Sequence, residues 1–367
     1  MNNRTEFKEN CVIKQYRDRI SFEKERMIYR SLPADGLVPV LQEEGKQTLI
    51  LEKLPGQTFS AWLDSGPDAG DAAERLADWI CRFEDTCFTV FGRYPVLEDL
   101  NPRNLIVTPD GIRGIDFEYW HFGTGEEALA VPCAMTRTLH GGADIADCLE
   151  HRLFGAAVPR ERIDAEAERI RQRRAAMADI RRSACIILAG GKASRMNGAA
   201  KGLLELGEYT FMDRILHTVQ FFDRIRISAN THDYDALGYP VIPDAVQDCG
   251  PKGALYTALM DADTEHVFTV PCDTPLLKRD TIVRMYRMLD DHDAVILRTA
   301  GRIHPTIGIY RKRILPAVEK QIREKDYRMS SLLQEIQTAY CDTDDPVETM
   351  NINTPEDLER ITKKHSV

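Results

Sequence analysis

Between residues 184 and 204 the chain reads Ala-Cys-Ile-Ile-Leu-Ala-Gly-Gly-Lys-Ala-Ser-Arg-Met-Asn-Gly-Ala-Ala-Lys-Gly-Leu-Leu. Its first six residues form a short apolar run, the length of a strand buried in a parallel sheet. The run breaks at Gly190-Gly191, where bare backbone can turn tightly and approach a ligand. Arg195 and Lys201 follow within a dozen residues. Backbone N–H groups freed by glycine, with two cations nearby, suit the oxygens of a triphosphate. A strand-to-helix turn carrying solvated charges is the simpler use of the same residues. The spacing is neither a Walker A loop nor the Gly-x-Gly-x-x-Gly of a dinucleotide fold.

A second set of reactive residues lies near the N-terminus. Asp99 and Asn104 stand five apart in Leu97-Glu-Asp-Leu-Asn-Pro-Arg-Asn104, and Asp116 follows in Gly114-Ile-Asp-Phe-Glu118. The five-residue spacing resembles the catalytic loop Asp-x-x-x-x-Asn of protein kinases, and Asp116-Phe117 falls where their metal-binding Asp-Phe-Gly would.

The elements that must position these residues can be read from periodicity. Asn10–Tyr16 is predicted as a strand carrying Lys14, and residues 22–32 as a helix offering Phe22, Met27, Ile28 and Leu32 to a core. Leu49–Gly56 reads as a strand ending in a Pro-Gly turn. Residues 70–92 read as an amphipathic helix with Leu76, Trp79, Ile80 and Phe83 inward. An Arg- and Ala-rich stretch at 158–183 has the composition of a helix and only a thin apolar stripe, which suits a connector. Beyond it, strands are predicted at 224–230, 240–244, 266–273, 294–299 and 304–310, and helices at 210–222, 252–262 and 279–290. This βαβα rhythm implies a mostly parallel sheet with helices on both faces. Ligands of such sheets gather at the carboxyl ends of strands, where the glycine loop, Asp244 and Asp273 all fall. Asp273 closes an apolar strand and is placed for magnesium, which binds with one or two carboxylates plus phosphate oxygens. His304, at the head of its strand, reads as a structural histidine with its hydrogen bonds satisfied.

Composition bounds the rest. A chain of 367 residues with 43% hydrophobic and 29% charged residues can bury two cores. The net charge of −10 argues against a general nucleic-acid binder. Nine scattered cysteines without a Cys-x-x-Cys pair fit reduced thiols rather than a zinc site. No apolar run approaches the roughly 18 residues of a membrane span, and no signal peptide is visible, so a cytoplasmic location without a membrane partner is expected.

Residues 8–155 resemble the aminoglycoside-phosphotransferase and lipopolysaccharide-kinase branch of the kinase-like fold, whose loop reads Asp-x-x-Pro-x-Asn and whose metal motif reads Ile-Asp-Phe-Glu. The resemblance implies that Lys14 holds ATP phosphates, that Glu25 pairs with it, that Asp99 accepts the substrate proton, and that Asn104 and Asp116 hold magnesium. Leu97 stands where the family usually has a His, and about ten residues precede the Lys14 strand, fewer than two strands and a Gly-rich loop require. An active small-molecule kinase and a non-catalytic kinase-like module both remain open.

Residues 184–361 resemble the molybdenum cofactor guanylyltransferases, within the nucleotidyltransferases of Rossmann-like fold. The resemblance rests on Leu188-Ala-Gly-Gly191, Arg195-Met196, Lys201-Gly-Leu203, Asp244, Gly250-Pro251, Pro271-Cys-Asp-Thr-Pro275, His304-Pro-Thr306 and Asn351-Ile-Asn-Thr-Pro355, in family order. It implies GTP contacts from Leu188, Ala189, Gly190, Gly191, Lys201 and Asp244, with Asp273 on Mg²⁺ and Asn353 near the metal. Asp273, Lys201 and Arg195 would carry GMP transfer to a molybdopterin-type cofactor. Ser228 replaces an Asn that often contacts the nucleotide. The expected architecture is therefore α/β: a truncated kinase-like α+β domain (1–157), a helical connector (158–183) and a Rossmann-like nucleotidyltransferase (184–367). A cytidylyl- or sugar-phosphate nucleotidyltransferase paired with an active kinase is the alternative enzyme. An N-terminal adaptor for a molybdoenzyme or cofactor-insertion partner is the alternative from another class.

Overall fold

A computed structural model describes residues 3–34, 36–139, 143–154, 159–190, 195–196, 199–352 and 357. The chain forms two compact units, Asn3–Arg171 and Gln172–Val367. Among the described residues, no helix is long and apolar enough to cross a membrane.

The N-terminal unit opens with strands β1 (Arg4–Phe7) and β2 (Cys11–Gln15), helix α1 (Arg19–Ser31), and strands β3 (Leu41–Gly45) and β4 (Thr48–Glu52). The strands form one antiparallel sheet in the order β1-β2-β4-β3. α1 starts where the Asp18 carboxylate accepts the Ser21 amide at 2.8 Å, an N-cap that satisfies one orphan donor. Its inward face carries Phe22, Ile28 and Tyr29 and, unexpectedly for an apolar face, the fully buried Glu25. Met27, expected in the core, is 43% exposed, because the helix turns that position away from the sheet.

Helix α2 (Ala69–Phe91) is capped by Asp68 and stopped at Gly92, whose φ of 68° is the left-handed conformation a glycine C-cap supplies. Leu76, Trp79, Ile80 and Phe83 are all buried as their spacing predicts. After the short strands β5 (Leu105–Thr108) and β6 (Gly111–Gly114), the Asp-Phe-Glu segment packs on this helix. Phe117 stacks on Phe83 at 5.5 Å, and Phe83 on Trp79 at 5.1 Å.

Helix α3 (Arg160–Arg181) precedes the C-terminal sheet and contains the border between the units. The sheet comprises β7 (Ala184–Leu188), β8 (Arg224–Ser228), β9 (Val241–Ile242), β10 (His266–Pro271), β11 (Ala294–Thr299), β12 (Arg302–Arg311) and β13 (Thr338–Thr343). Their order is β9-β8-β7-β10-β12-β11-β13. All pairings are parallel except those of β12, which runs antiparallel to β10 and β11. The exception has a local cause. Only Ala300 and Gly301 join β11 to β12, both at positive φ (48° and 80°), a two-residue hairpin that no parallel pair can use. Helices α4 (Phe211–Val219), α5 (Gly250–Asp261) and α6 (Arg279–Arg287) supply apolar faces to the sheet. Ile187 and Cys185 face one core and Ile186 and Ala184 the other, so β7 reads as a continuous apolar run.

Gly114 is confined by its surroundings. A Cβ there would lie 2.4 Å from Trp79 Cζ2 and 2.7 Å from Phe117 Cζ. Gly114→Ala is expected to destabilise the protein by about 1–3 kcal/mol through overpacking, as a lowered denaturant midpoint with an unchanged slope.

Candidate functional site

In the C-terminal unit the candidate residues meet at the carboxyl ends of β7, β8, β9 and β10. Leu188 and Ala189 are fixed from both sides: the Cys272 amide donates to the Leu188 carbonyl (2.9 Å), and the Ala189 amide donates to the Ser228 carbonyl (2.8 Å). Gly190 follows. A Cβ there would sit 3.6 Å from both Asp244 Oδ2 and the Ser228 carbonyl, in van der Waals contact, so Gly190 lies directly against the Asp244 carboxylate. That carboxylate is held by two donors, Ser228 Oγ at 3.2 Å and Asn230 Nδ2 at 2.8 Å. Asn230 Oδ1 in turn accepts the Asp244 amide at 2.9 Å. Ser228 therefore acts through Asp244, and Asn230, two residues further along, supplies the amide. Sequence reasoning passed over Asn230, although a polar residue just beyond the end of an apolar parallel strand was the available signal.

Lys201 and Asp273 form the second half of this site. Lys201 is 6% exposed, and its Nζ lies 3.8 Å from Asp273 Oδ2. Burial raises the Asp273 carboxyl above its ordinary value, and Lys201 offsets that only in part. Asp273 Oδ1 is buried without a hydrogen-bond partner among the described residues. Helix α6 has Lys278, not Asp273, at its N-cap, so Asp273 is not used as a helix cap there. The Asp273 carbonyl accepts the Ile352 amide at 2.9 Å. Tyr234, also unforeseen, braces the Lys201 turn. Its hydroxyl accepts the Gly202 amide at 3.3 Å, and a Cβ on Gly202 would come within 2.9 Å of its ring. Gly191 and Asn353 lie outside the described residues. Arg195 is described by its backbone alone, paired with Ala200.

The N-terminal unit gathers its own set. Lys14 Nζ donates to Glu25 at 2.7 Å and to Asp116 Oδ1 at 2.9 Å, and lies 3.8 Å from Glu118. Burial alone would lower the Lys14 pKa, but Asp116, Glu25 and Glu118 outweigh it and raise it. Glu25 also accepts the hydroxyls of Tyr16 (2.6 Å) and Tyr29 (2.7 Å) and the Phe117 amide (3.2 Å), so this buried carboxylate is fully engaged. Asp116 has a φ of 68°, a left-handed conformation that non-glycine residues seldom adopt outside functional or tightly held positions. Burial and the neighbouring Asp116 hold the Glu118 carboxyl above the usual range. Ligand atoms of Glu25, Asp116 and Glu118 lie within 4.8 Å of one another. Asn104 Nδ2 donates to the Asp99 carbonyl (3.4 Å), and the Asn104 carbonyl accepts the Ile115 amide (2.7 Å), tying this loop to the Asp116 segment.

Residues 185–340 match the family model of the MobA-like NTP transferase domain. A molybdenum cofactor guanylyltransferase of Vibrio parahaemolyticus is 35% identical over 179 residues, spanning 47% of this chain and 91% of that protein. The chain belongs to the MobA-like NTP transferase family. A probable molybdenum cofactor guanylyltransferase of Carboxydothermus hydrogenoformans is 33% identical, over 49% of this chain and 95% of its own length. One from Aquifex aeolicus is 32% identical, over 48% of this chain and 89% of its own length. The family match begins at Cys185 and contains the whole Gly190–Asp244–Lys201–Asp273 constellation of this MobA-like unit.

The raised pKa of Asp273 has a consequence for stability. The folded state favours its neutral form, so ionisation costs stability; the penalty is absent below the ordinary aspartate pKa and complete above the raised one. Asp273→Asn is therefore expected to unfold at a higher denaturant concentration than the native sequence at neutral pH without metal. The gap should narrow as pH is lowered through that window, as paired denaturation curves would show.

Proposed function

We propose that the C-terminal unit transfers GMP from GTP to the terminal phosphate of a molybdopterin-type acceptor and releases pyrophosphate. The observation that carries this reading is the buried pairing of Lys201 with Asp273 near the close approach of Gly190 to Asp244, at strand ends where such sheets bind ligands. The similarity to molybdenum cofactor guanylyltransferases supports the choice of guanine and pterin.

Asp244 is an acceptor when ionised, and with its orientation fixed by Ser228 and Asn230 it suits the N–H or hydroxyl donors of a nucleoside. With no side chain at Gly190, a nucleotide can approach the backbone of Leu188, Ala189 and Gly190. Lys201 supplies positive charge to the phosphates, with Arg195 on the adjacent loop. A new bond forms from an acceptor phosphate oxygen to the α-phosphorus while the bond to the β-phosphate oxygen breaks in line. An acceptor that is already a phosphate anion needs no general base. The buried, unpartnered Asp273 Oδ1 fits a divalent cation, and Mg²⁺ held there would neutralise charge developing on the transferring phosphoryl group.

The test is pyrophosphate release by the full chain with molybdopterin, Mg²⁺ and either GTP or CTP. GTP turnover should fall at least about 100-fold in Asp273→Asn, as expected when a principal electrostatic contribution to the transition state is removed, while the variant stays folded. Preference for CTP would favour the cytidylyl alternative, and full activity in Asp273→Asn would sink the assignment.

A specific observation favours a second reading, for the N-terminal unit. The contact of Lys14 with both Glu25 and Asp116 has the make-up of a kinase-like nucleotide site. In that reading Lys14 holds ATP phosphates, Asn104 and Asp116 hold Mg²⁺, and Asp99 accepts the substrate proton. Asp116 and Glu118 offer carboxylate oxygens close enough for a metal. ATP·Mg²⁺ should then bind the full chain at a site lost in Lys14→Ala and retained in Lys201→Ala, measured by calorimetry. ATP binding indifferent to Lys14 would leave the adaptor role as the better account of this unit.

A further inference from the structure

Because β12 runs antiparallel to β10, its first residues, not its last, reach the end of the sheet where Gly190, Asp244 and Asp273 gather. The last paired residues of the two strands are Thr269 and Gly308. Asp273 lies four residues beyond Thr269, and His304 lies four residues before Gly308, so both project past the pairing at the same end. Strand order separates their neighbours: Gly190, Ser228 and Asp244 belong to the β7-β8-β9 side of β10, and His304 to the opposite side.

A β-bulge sets the direction of His304. Ile296 pairs with Gly308, whereas the next residue, Leu297, pairs with His304, so residues 305–307 are extra on β12. Bulges of this kind re-aim side chains and are common beside active sites. Paired residues share a face, and Leu297 belongs to the core cluster that also holds Val270 and Cys272, the residues leading to Asp273. The turn is pinned by the Tyr310 hydroxyl, which donates to the Pro305 carbonyl. The satisfied structural histidine expected from the sequence is not what this arrangement produces. His304 is half-buried, and its Nε2 is buried with no hydrogen-bond partner among the described residues. Leaving a buried polar atom unmet is destabilising, and a bound ligand would relieve it.

We propose that His304 is the acceptor-recognition residue of this unit, contacting through Nε2 the hydrogen-bonding heterocycle of a phosphomonoester acceptor. The proposal rests on the transferase reading above. Lys201 and Asp273 already serve the phosphates, and the opposite side of β10 carries the nucleotide pocket, which leaves the β12 side for the acceptor. Burial, and then Arg302, keep the imidazole pKa below its usual value, so it serves as a neutral hydrogen-bonding group rather than a phosphate-binding cation.

The experiment compares the full chain with His304→Ala and His304→Gln, with molybdopterin as acceptor and GTP·Mg²⁺ as donor. The Ala variant should raise the acceptor KM about tenfold or more, as expected for loss of one substrate hydrogen bond. GTP affinity measured by calorimetry should be unchanged. The Gln variant, whose amide can occupy the Nε2 position, should recover much of the acceptor KM, a rescue that a purely structural role would not give. An unchanged acceptor KM in the Ala variant overturns the proposal, and so does a loss confined to GTP affinity. If the native sequence itself fails to transfer GMP to molybdopterin, the transferase reading falls and this proposal with it. Native turnover with an unmoved KM in the variants removes His304 alone.

Discussion

Lys14 and Lys201 are 8% and 6% exposed, and an ammonium removed from water is costly unless charged or hydrogen-bonding partners meet it. Each unit of this chain meets that demand with acidic residues from distant elements. In the N-terminal unit Lys14 of β2 needs Glu25 from α1 and Asp116 from beyond β6, so sheet, helix and metal-type motif are obliged to converge. In the C-terminal unit Lys201 approaches Asp273, at the end of β10, to 3.8 Å, and the turn carrying Lys201 is braced by Tyr234. Losing Glu25 and Asp116 would leave the buried charge of Lys14 without its direct partners, which typically costs about 3–5 kcal/mol. In the proposed readings the same residues would carry out the chemistry, so positioning for folding would serve catalysis as well.

What makes the C-terminal site usable is that its supports come from backbone. Leu188 and Ala189 are bonded to neighbours on both sides, and Asp273 is anchored through its own carbonyl to Ile352. Side chains are thereby released from structural duty. Asp244 is the exception, since its carboxylate is held by Ser228 and Asn230; each oxygen still has a lone pair for a ligand. A parallel sheet produces this situation naturally, because strand ends leave backbone groups and polar residues facing one side. The antiparallel β12 adds something a wholly parallel sheet lacks: the start of a strand at the ligand-binding end.

The sequence made legible what depends on short-range pattern. The apolar run of β7, the spacing of α2 and the alternation of strands and helices all survive in the structure, because burial imposes a period on residues close in sequence. Gly190, Asp244 and Asp273 were singled out for the same reason, each just past the end of a strand, whereas Lys201 was read from its place in the stretch that follows the two glycines. Asn230, Tyr234 and Glu118 could not be assigned roles. Their partners lie at Asp244, Gly202 and Lys14, and no local period encodes a partner 14, 32 or 104 residues away. Met27 went astray by the opposite route, as an apolar residue at near-helical spacing whose turn of helix happens to face water. The bulge in β12 was likewise invisible, since it is defined by pairing between strands and not by composition.

The two lysine–carboxylate sites differ in how completely they are satisfied, and that difference bears on what each can bind. Lys14 is within direct hydrogen-bonding distance of Glu25 and Asp116, with Glu118 close behind, so negative groups outnumber the cation. A metal entering that cluster would have to compete with Lys14 for Asp116, and the left-handed backbone of Asp116 shows the segment already held in a costly conformation. Lys201 stands further from Asp273, at 3.8 Å, and one oxygen of that carboxylate has no donor among the described residues. Burial has raised the energy of its charged form, and nothing among the described residues fully offsets it. A cation brought in with a nucleotide would relieve that deficit without displacing any described bond. The electrostatics therefore favour the proposed metal–nucleotide reading of the C-terminal site, whereas the proposed N-terminal site would first have to loosen the contacts that hold it together.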